Sequence, residues 1–459
     1  MDAAAAPFCP PVPKPHAKPL NSVQFVLTAS RNPLEIWGQR AYREPFISAR
    51  WLGNPTIIVS DPAAIRYFMV ENARNYAMQP LRQRVLRPIL RDGLLTAEGE
   101  LWRRTRRAMA PIFAPRNIEG FAPIMRDRAS RFAEALRRGP AERDIAFEMT
   151  LLTYDILQAT LFTGDIAGDP VEFARSTAKF LDAMGRPDPF DILDLPAFVP
   201  RLTRILGRRT EAYFRRLIAD TAERRRAVIA RDPDAAPHDL LTLLLGAGDL
   251  SPSEIEDNII TFIGAGHETT ARALGWALYL LSQAPAERDK VEAELDALLD
   301  ALDDPKTWPT ELVHTRAAFE EAMRLYPPAP SLNRSAIAAD RFGDIEVPAG
   351  ASLLILPWIV HRHERLWQDP LAFVPARFLP ENRESIDRYQ YLPFGVGPRV
   401  CIGQSFAMQE GVIALASLMR HLRFDYVGSR PPMPVQKITV QPDIGLRMRV
   451  SPRQARAPA

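Results

Sequence analysis

At 459 residues, with 47% hydrophobic and 25% charged positions, the chain is long enough to bury a large core, and its composition excludes a disordered or fibrous protein. A formal charge of +3 is small for this length, and the arginines lie on segments that also carry acids, which argues against nucleic-acid binding. Two cysteines exclude a disulfide framework and fit a reducing cytosol.

Residues 1–20 read as a proline-rich arm (Pro10, Pro11, Pro13, Pro15, Pro19) with neither a basic start nor an apolar stretch able to span a bilayer. It is expected to be extended and mobile, ahead of a single domain over 21–459, since no Gly/Ser linker and no repeat divides the rest. Residues 46–52 and 56–59 read as a hairpin about Gly53 and Asn54, and Asp61 before Pro62 caps a helix. A loop is expected up to about Leu95. Glu98 to Pro111 then reads as a helix with Trp102 and Arg106 one turn apart on one face and Arg103 and Arg107 on the adjacent stripe. Two amphipathic helices follow between Asn117 and Gly164. The apolar, proline-rich connection from Pro187 to Pro196 suits either a lid over an access channel or an ordinary interhelix loop.

Ser251, Pro252 and Glu254 open a helix with a capping box, and its periodicity runs to about Gln283, a length of ~48 Å at ~1.5 Å per residue. Gly264 and Gly266 each cost roughly 0.5–1 kcal/mol there, so something is expected to pass close to the backbone. His267 and Glu268 start the zinc motif H-E-x-x-H, but Ala271 stands where the second histidine belongs. Glu321 and Arg324 lie one turn apart on a helix ending at Pro327, a pair worth a few tenths of a kcal/mol if exposed. His361 and His363 lack a third ligand nearby and read as solvated or capping residues. Leu353 to Val360 reads as a buried strand or connector.

Cys401 closes a loop containing Gly395, Gly397 and Gly403 and precedes a helix from Gln404 to about His421. The helix N-terminus and Arg399 are expected to favour its thiolate. The surroundings Phe394, Val400, Ile402 and Phe406 are apolar. A structural cysteine, a nucleophile and a metal ligand all remain open, whereas zinc fails because the other cysteine, Cys9, lies in the arm. Near the C-terminus, 437–440 and 446–450 read as a hairpin around Pro442 to Gly445.

Phe394, Gly397, Arg399, Cys401 and Gly403 match F-x-x-G-x-R-x-C-x-G, and at these residues the chain resembles the cytochrome P-450 family. Ala265, Gly266, Glu268, Thr269 and Thr270 resemble that family's A-G-x-E/D-T-T. Trp102 and Arg106 resemble its W-x-x-x-R, Glu321 and Arg324 its E-x-x-R, and the Phe373 to Phe378 segment its P-E-R-F, with Ala376 in place of the glutamate. The resemblance, from about Phe46 to Val450, implies a mainly α fold with small β-sheets, the cytochrome P-450 fold, and haem b between a long distal helix and a proximal cysteine loop. It further implies Cys401 as the axial ligand of the haem iron. Trp102, Arg106, Arg334 and Arg399 would reach propionates, Phe394, Gly395, Gly397, Gly403, Ala265 and Gly266 would contact the cofactor, and Glu321, Arg324 and Arg377 would form a buried triad. Thr269 would hydrogen-bond O2 and Glu268 would relay protons.

The implied activity is that of a soluble, cytoplasmic, bacterial-type monooxygenase, a monomer acting on an apolar small molecule. Ile260, Ile263, Ala265, Leu332 and Ile444 would wall its pocket. No flavin or iron–sulfur segment is evident, so electrons from NAD(P)H would come from a separate ferredoxin and its reductase, or from a flavodoxin-like donor, docking on Arg103 and Arg107. A peroxide-driven peroxygenase and a non-catalytic haem sensor are the alternatives. The Glu268–Thr269 pair argues against the first and leaves the second without a use for it.

Overall fold

A helix over Pro252–Gln283 organises the molecule. Its capping box forms as expected: the Ser251 hydroxyl accepts the Glu254 amide and the Glu254 carboxylate accepts the Ser251 amide, satisfying donors the helix cannot pair internally. From Ala271 to Leu281 it is buried on most faces, with Trp276 stacked on Tyr326 at 3.8 Å between ring centroids. A helix that is apolar nearly all round must run through a core. Here the walls of that core are the helices Ile145–Leu161, Val313–Leu325 and Gln404–His421. The last of these packs in turn on Pro115–Arg138.

The computed structural model describes residues 6–453 apart from 52, 165, 167, 186, 197 and 300. At 57% helix the fold is mainly α. The largest sheet has five strands in the spatial order Phe46–Trp51, Asn54–Val59, Ser352–Ile355, Arg334–Ala336 and Tyr76–Met78. Only the Asn54–Val59 and Ser352–Ile355 pair is parallel. The expected hairpin at 46–59 is thus present, with residue 52 outside the described residues.

Several expectations need correction. Residues 80–90, read as loop, form a helix whose proline at its start and Pro88 inside it mask the helical period. Residues 1–5 of the arm lie outside the described residues, but the remainder is held against the body rather than free. Phe8 O accepts the Phe373 amide at 2.8 Å, Pro11 O accepts the Tyr326 hydroxyl at 3.1 Å, and Phe8 packs edge-on to Tyr279. The C-terminal hairpin turns at 437–439, between Pro434–Gln436 and Val440–Pro442, while Arg447–Pro452 joins a different sheet. Val440, directly after the turn, is pinned by Trp276 Nε1 donating to its carbonyl and by its own amide donating to Pro328 O, each 3.2 Å.

Candidate cofactor and active site

The cysteine loop hangs from a buried ion pair. Arg324 donates to both Glu321 oxygens at 2.7 and 2.8 Å, neither side chain has any accessible surface, and Arg377 Nε stands 3.5 Å from Glu321 Oε1. The remaining Arg324 donors hold the carbonyls of His361, Pro370 and Ala372. His361 extends the chain of bonds. Its Nδ1 faces Arg324 O at 3.2 Å and its Nε2 accepts the Leu392 amide at 2.7 Å, so the ring is the Nδ1–H tautomer. His361 and His363 are buried and cap backbone groups, which corrects the solvated reading. From Leu392 the loop passes Phe394, whose carbonyl accepts the Cys401 amide at 2.9 Å.

Gly397 has φ +74, and a Cβ there would lie 1.9 Å from Met69 O; the close approach it permits is to protein backbone, not to a flat cofactor. Gly395 also has positive φ, with Leu332 as its neighbour. Gly403 caps the cysteine helix.

Cys401 opens onto a cavity of about 1050 Å3 and is enclosed by protein on its other sides. Burial pushes its thiol up, outweighing the Gly403 amide and the Arg106 charge that pull it down. The expected thiolate therefore does not follow from the helix terminus. With protein atoms alone around it desolvation wins, and ligation by a metal ion is what deprotonates such a sulfur.

Arg82, Arg106, Arg334 and Arg399 are among the arginines that line the same cavity. Burial, reinforced by its neighbours Arg82 and Arg399, drives the Arg334 guanidinium down to about 9. Burial and Arg399 take Arg82 down to about 10. Arg399 lies over the Trp102 ring at 4.5 Å and keeps a buried Nη1 without a hydrogen-bond partner, while its Nη2 is 3.5 Å from Glu98. Arg106 donates to Val400 O at 2.7 Å. Cations forced together with an idle donor call for anionic oxygens. Haem fits: sulfur on one wall, propionate-binding donors at the rim. Sequence reasoning found Arg106, Arg334 and Arg399 but missed Arg82, which sits on the helix it had read as loop.

On the facing wall the long helix presents Gly264 and Ala265, both exposed in mid-helix because the cavity adjoins them. A Cβ on Gly264 would meet nothing, whereas one on Gly266 would strike Leu157 of a neighbouring helix at 2.4 Å. Close approach at Gly266 is thus helix packing. Thr269 lines the cavity and donates to Ala265 O at 2.8 Å.

Glu268, the expected proton relay, is heavily hydrogen-bonded. It accepts from Arg272 at 2.7 and 3.1 Å, from Thr439 at 3.1 Å and from Gln441 at 2.9 Å. Of the expected pocket walls, Ile260, Ile263, Ala265 and Leu332 line the cavity; Ile444 does not, and Ile438 at the hairpin tip takes that place. The 187–196 connection also faces the cavity through Ile192, Leu193 and Asp194, and Arg201 ties it down by donating to Asp191, Leu195 and Pro196.

A family model described as Cytochrome P450 matches residues 10–447. Protein LUTEIN DEFICIENT 5, chloroplastic, of Arabidopsis thaliana is 30% identical over 427 residues, which cover 86% of this chain and 70% of that protein. Cyclooctatin synthase of Streptomyces melanosporofaciens is 30% identical over 429 residues, covering 92% of this chain and 90% of that one. A solved structure of a 6-coordinated cytochrome P450 from Thermus thermophilus matches with a TM-score of 0.66 at 27% identity, over 87% of this chain and 93% of that one.

Proposed function

The chain belongs to the cytochrome P450 family of haem-thiolate monooxygenases, and from that premise we propose that it oxidises an apolar, lipid-like or terpenoid-like small molecule by hydroxylation or epoxidation. Electrons would come from NAD(P)H through a separate ferredoxin and its reductase, or through a flavodoxin-like donor. The proposed setting is the cytoplasm of a bacterium, with the chain as a monomer folded as one domain over 21–459. Among the described residues no helix is long and apolar enough to cross a membrane.

One observation carries the substrate reading: Cys401 and Thr269 front the same cavity, whose further wall is the apolar cluster of Leu86, Ile89, Leu90 and Phe180 with Ile438 packed against it. Such a wall gives an apolar molecule burial. Haem b, when bound, supplies the reductive activation of O2 and the insertion of one of its oxygen atoms.

The chain does the rest. Cys401 Sγ would hold the haem iron, and the Gly403 amide would steady it. Trp102, Arg82, Arg106, Arg334 and Arg399 would hold the propionates, Phe394, Gly395 and Gly403 would border the haem on the cysteine side and Ala265 on the facing wall, while Gly397 and Gly266 would let the backbone and helices that frame it pack closely. Thr269, whose hydroxyl bonds Ala265 O, would offer that hydroxyl to O2. A threonine that bonds the carbonyl four residues back loosens the helix ladder and makes room there. Glu268 would pass on the proton that follows. Arg103 and Arg107, both exposed on the helix Gly99–Met109, meet the electron donor.

Screening compound classes for displacement of the distal water, read from the haem spectrum, tests the substrate reading. It fails if only charged compounds bind. Cys401→Ser tests the ligand: the red-shifted band of the reduced, carbon-monoxide-bound protein should vanish, and its retention would refute the assignment.

A further inference from the structure

The hairpin that enters the cavity is bonded to the same carboxylate the relay needs. Glu268 is 4% exposed, and its Oε1 alone takes three donors: Arg272 Nε at 2.7 Å, Gln441 Nε2 at 2.9 Å and Thr439 Oγ1 at 3.1 Å. Gln441 Nε2 also reaches Thr439 Oγ1 at 3.2 Å, so the hairpin side chains brace each other as well as the acid. A carboxylate oxygen offers about two lone pairs, so Oε1 has no capacity left for water.

The strands of the hairpin are held up to Gln436 and Val440, the pair that closes the turn, and residues 437–439 between them reach into the cavity. Asn32 accepts the Gln436 amide at 3.0 Å and donates to Pro434 O at 3.1 Å, adding to the bonds of Trp276 and Pro328 with Val440. Lys437, Ile438 and Thr439 line the cavity. Ile438 packs against the apolar cluster where the substrate would lie, and the next residue is the one bonded to Glu268.

We propose that Thr439 and Gln441 are positioning residues for Glu268, and that the hairpin tip couples occupancy of the cavity to proton supply by releasing Oε1 when it is pushed. Arg272, one turn along the helix, stays bonded and keeps the carboxylate in place. With the cavity unfilled the acid is held, and electrons are not spent on O2 without substrate. The inference rests on the reading of Glu268 as the relay acid.

The test uses the holoenzyme with a surrogate ferredoxin and reductase. Thr439→Val and Gln441→Leu remove one donor each at nearly constant volume, Thr439→Ser restores the hydroxyl, and Glu268→Gln is the control. NADPH oxidation without substrate should rise roughly fivefold in Thr439→Val and in Gln441→Leu, with a smaller solvent isotope effect, while Thr439→Ser stays within about twofold of the parent. A merely structural role would not be rescued by serine or move the isotope effect.

A second readout is independent of turnover. The infrared carboxylate band of Glu268, identified by its loss in Glu268→Gln, should shift when clotrimazole fills the cavity of the parent, toward its position in Thr439→Val alone. A band indifferent to clotrimazole overturns the coupling, as does unchanged background oxidation in both hairpin variants. If Glu268→Gln itself leaves electron fate and isotope effect unchanged at full haem content, the relay reading fails instead.

Discussion

The His361 ring accepts the Leu392 amide through Nε2 at 2.7 Å while its Nδ1 meets Arg324 O at 3.2 Å, so one imidazole links the buried ion pair to the start of the cysteine loop. His361→Phe keeps a ring in place but leaves an amide and a carbonyl unpaired in the interior. Each such group costs about 1–3 kcal/mol. Denaturant unfolding of the holoprotein should show a loss of that size, with faster haem release. An unchanged midpoint and unchanged release would mean that the linkage carries no strain-bearing role.

Buried ionisable groups give the stability a definite pH dependence. Burial lowers the His361 ring well below its usual range, with Arg324 and Arg362 adding to it, and burial also lowers His267. Below pH ~6.5 the unfolded chain takes up protons these rings refuse, so each should cost about 1.4 kcal/mol per pH unit until its folded pKa is reached. Glu410 runs the other way. Burial raises its carboxyl well up, only partly offset by Thr270, so above pH ~4.5 the unfolded chain loses a proton the folded one keeps. Glu410→Gln should therefore gain on the parent as pH rises from 5 to 8, by up to about 1.4 kcal/mol per unit in denaturation midpoints converted to free energy. A gap that does not widen would place the charge of Glu410 in contact with water.

Gly397 and Gly403 both belong to the cysteine motif but should respond differently to alanine. At Gly397 the backbone is left-handed and a Cβ would sit 1.9 Å from Met69 O, a clash with main chain that no rotamer relieves. At Gly403 the nearest atoms would be 3.8 and 4.0 Å away. Gly397→Ala should cost several times more than the ~1 kcal/mol expected at Gly403 and should abolish haem incorporation on expression. Equal haem content in the two variants would contradict this.

The residues that signal themselves locally were the legible ones. The box at Ser251 and Glu254 and the helix after Gly403 are written in three or four neighbouring residues, and both stand where the periodicity put them. What the chain hides is tertiary. Nothing near His361 shows that its partners are Arg324 and Leu392, 37 and 31 residues away. Glu268 sits in a motif that names it an acid, but the donors that hold it come from Thr439 and Gln441 across the core. The signal for a thiolate at Cys401 was local, its place at a helix N-terminus, whereas desolvation, which pushes the thiol up, depends on everything packed around it.

Arg103 and Arg107 are exposed on the helix whose inner face carries Trp102 and Arg106, and Arg104 between them is taken up by Glu254 at 2.7 Å. Reversing both exposed charges should slow reduction by an acidic ferredoxin about tenfold at low salt, with the difference fading toward ~0.5 M salt, and leave haem content unchanged. Stopped-flow reduction across a salt series is the measurement. A deficit that persists at high salt would point to damage inside the protein rather than at its surface.

Arg82 offers a test in which two stabilities move in opposite directions. Its guanidinium is forced against Arg399 in a buried rim, and both it and Arg399 bear on Arg334, so with only protein around them the three cations destabilise one another. Arg82 also donates to Ser331 O at 3.1 Å, a single bond that recovers little of that cost. Arg82→Met keeps the length and apolar stem while removing the charge. Protein prepared without haem should therefore become more stable, by about 1 kcal/mol in denaturant. The holoprotein should instead release haem to a competing acceptor about tenfold faster, because a propionate loses a charge-assisted bond. If both preparations weaken together, Arg82 is a packing residue; if haem release is unchanged, the anion that calls for this arginine is not a propionate.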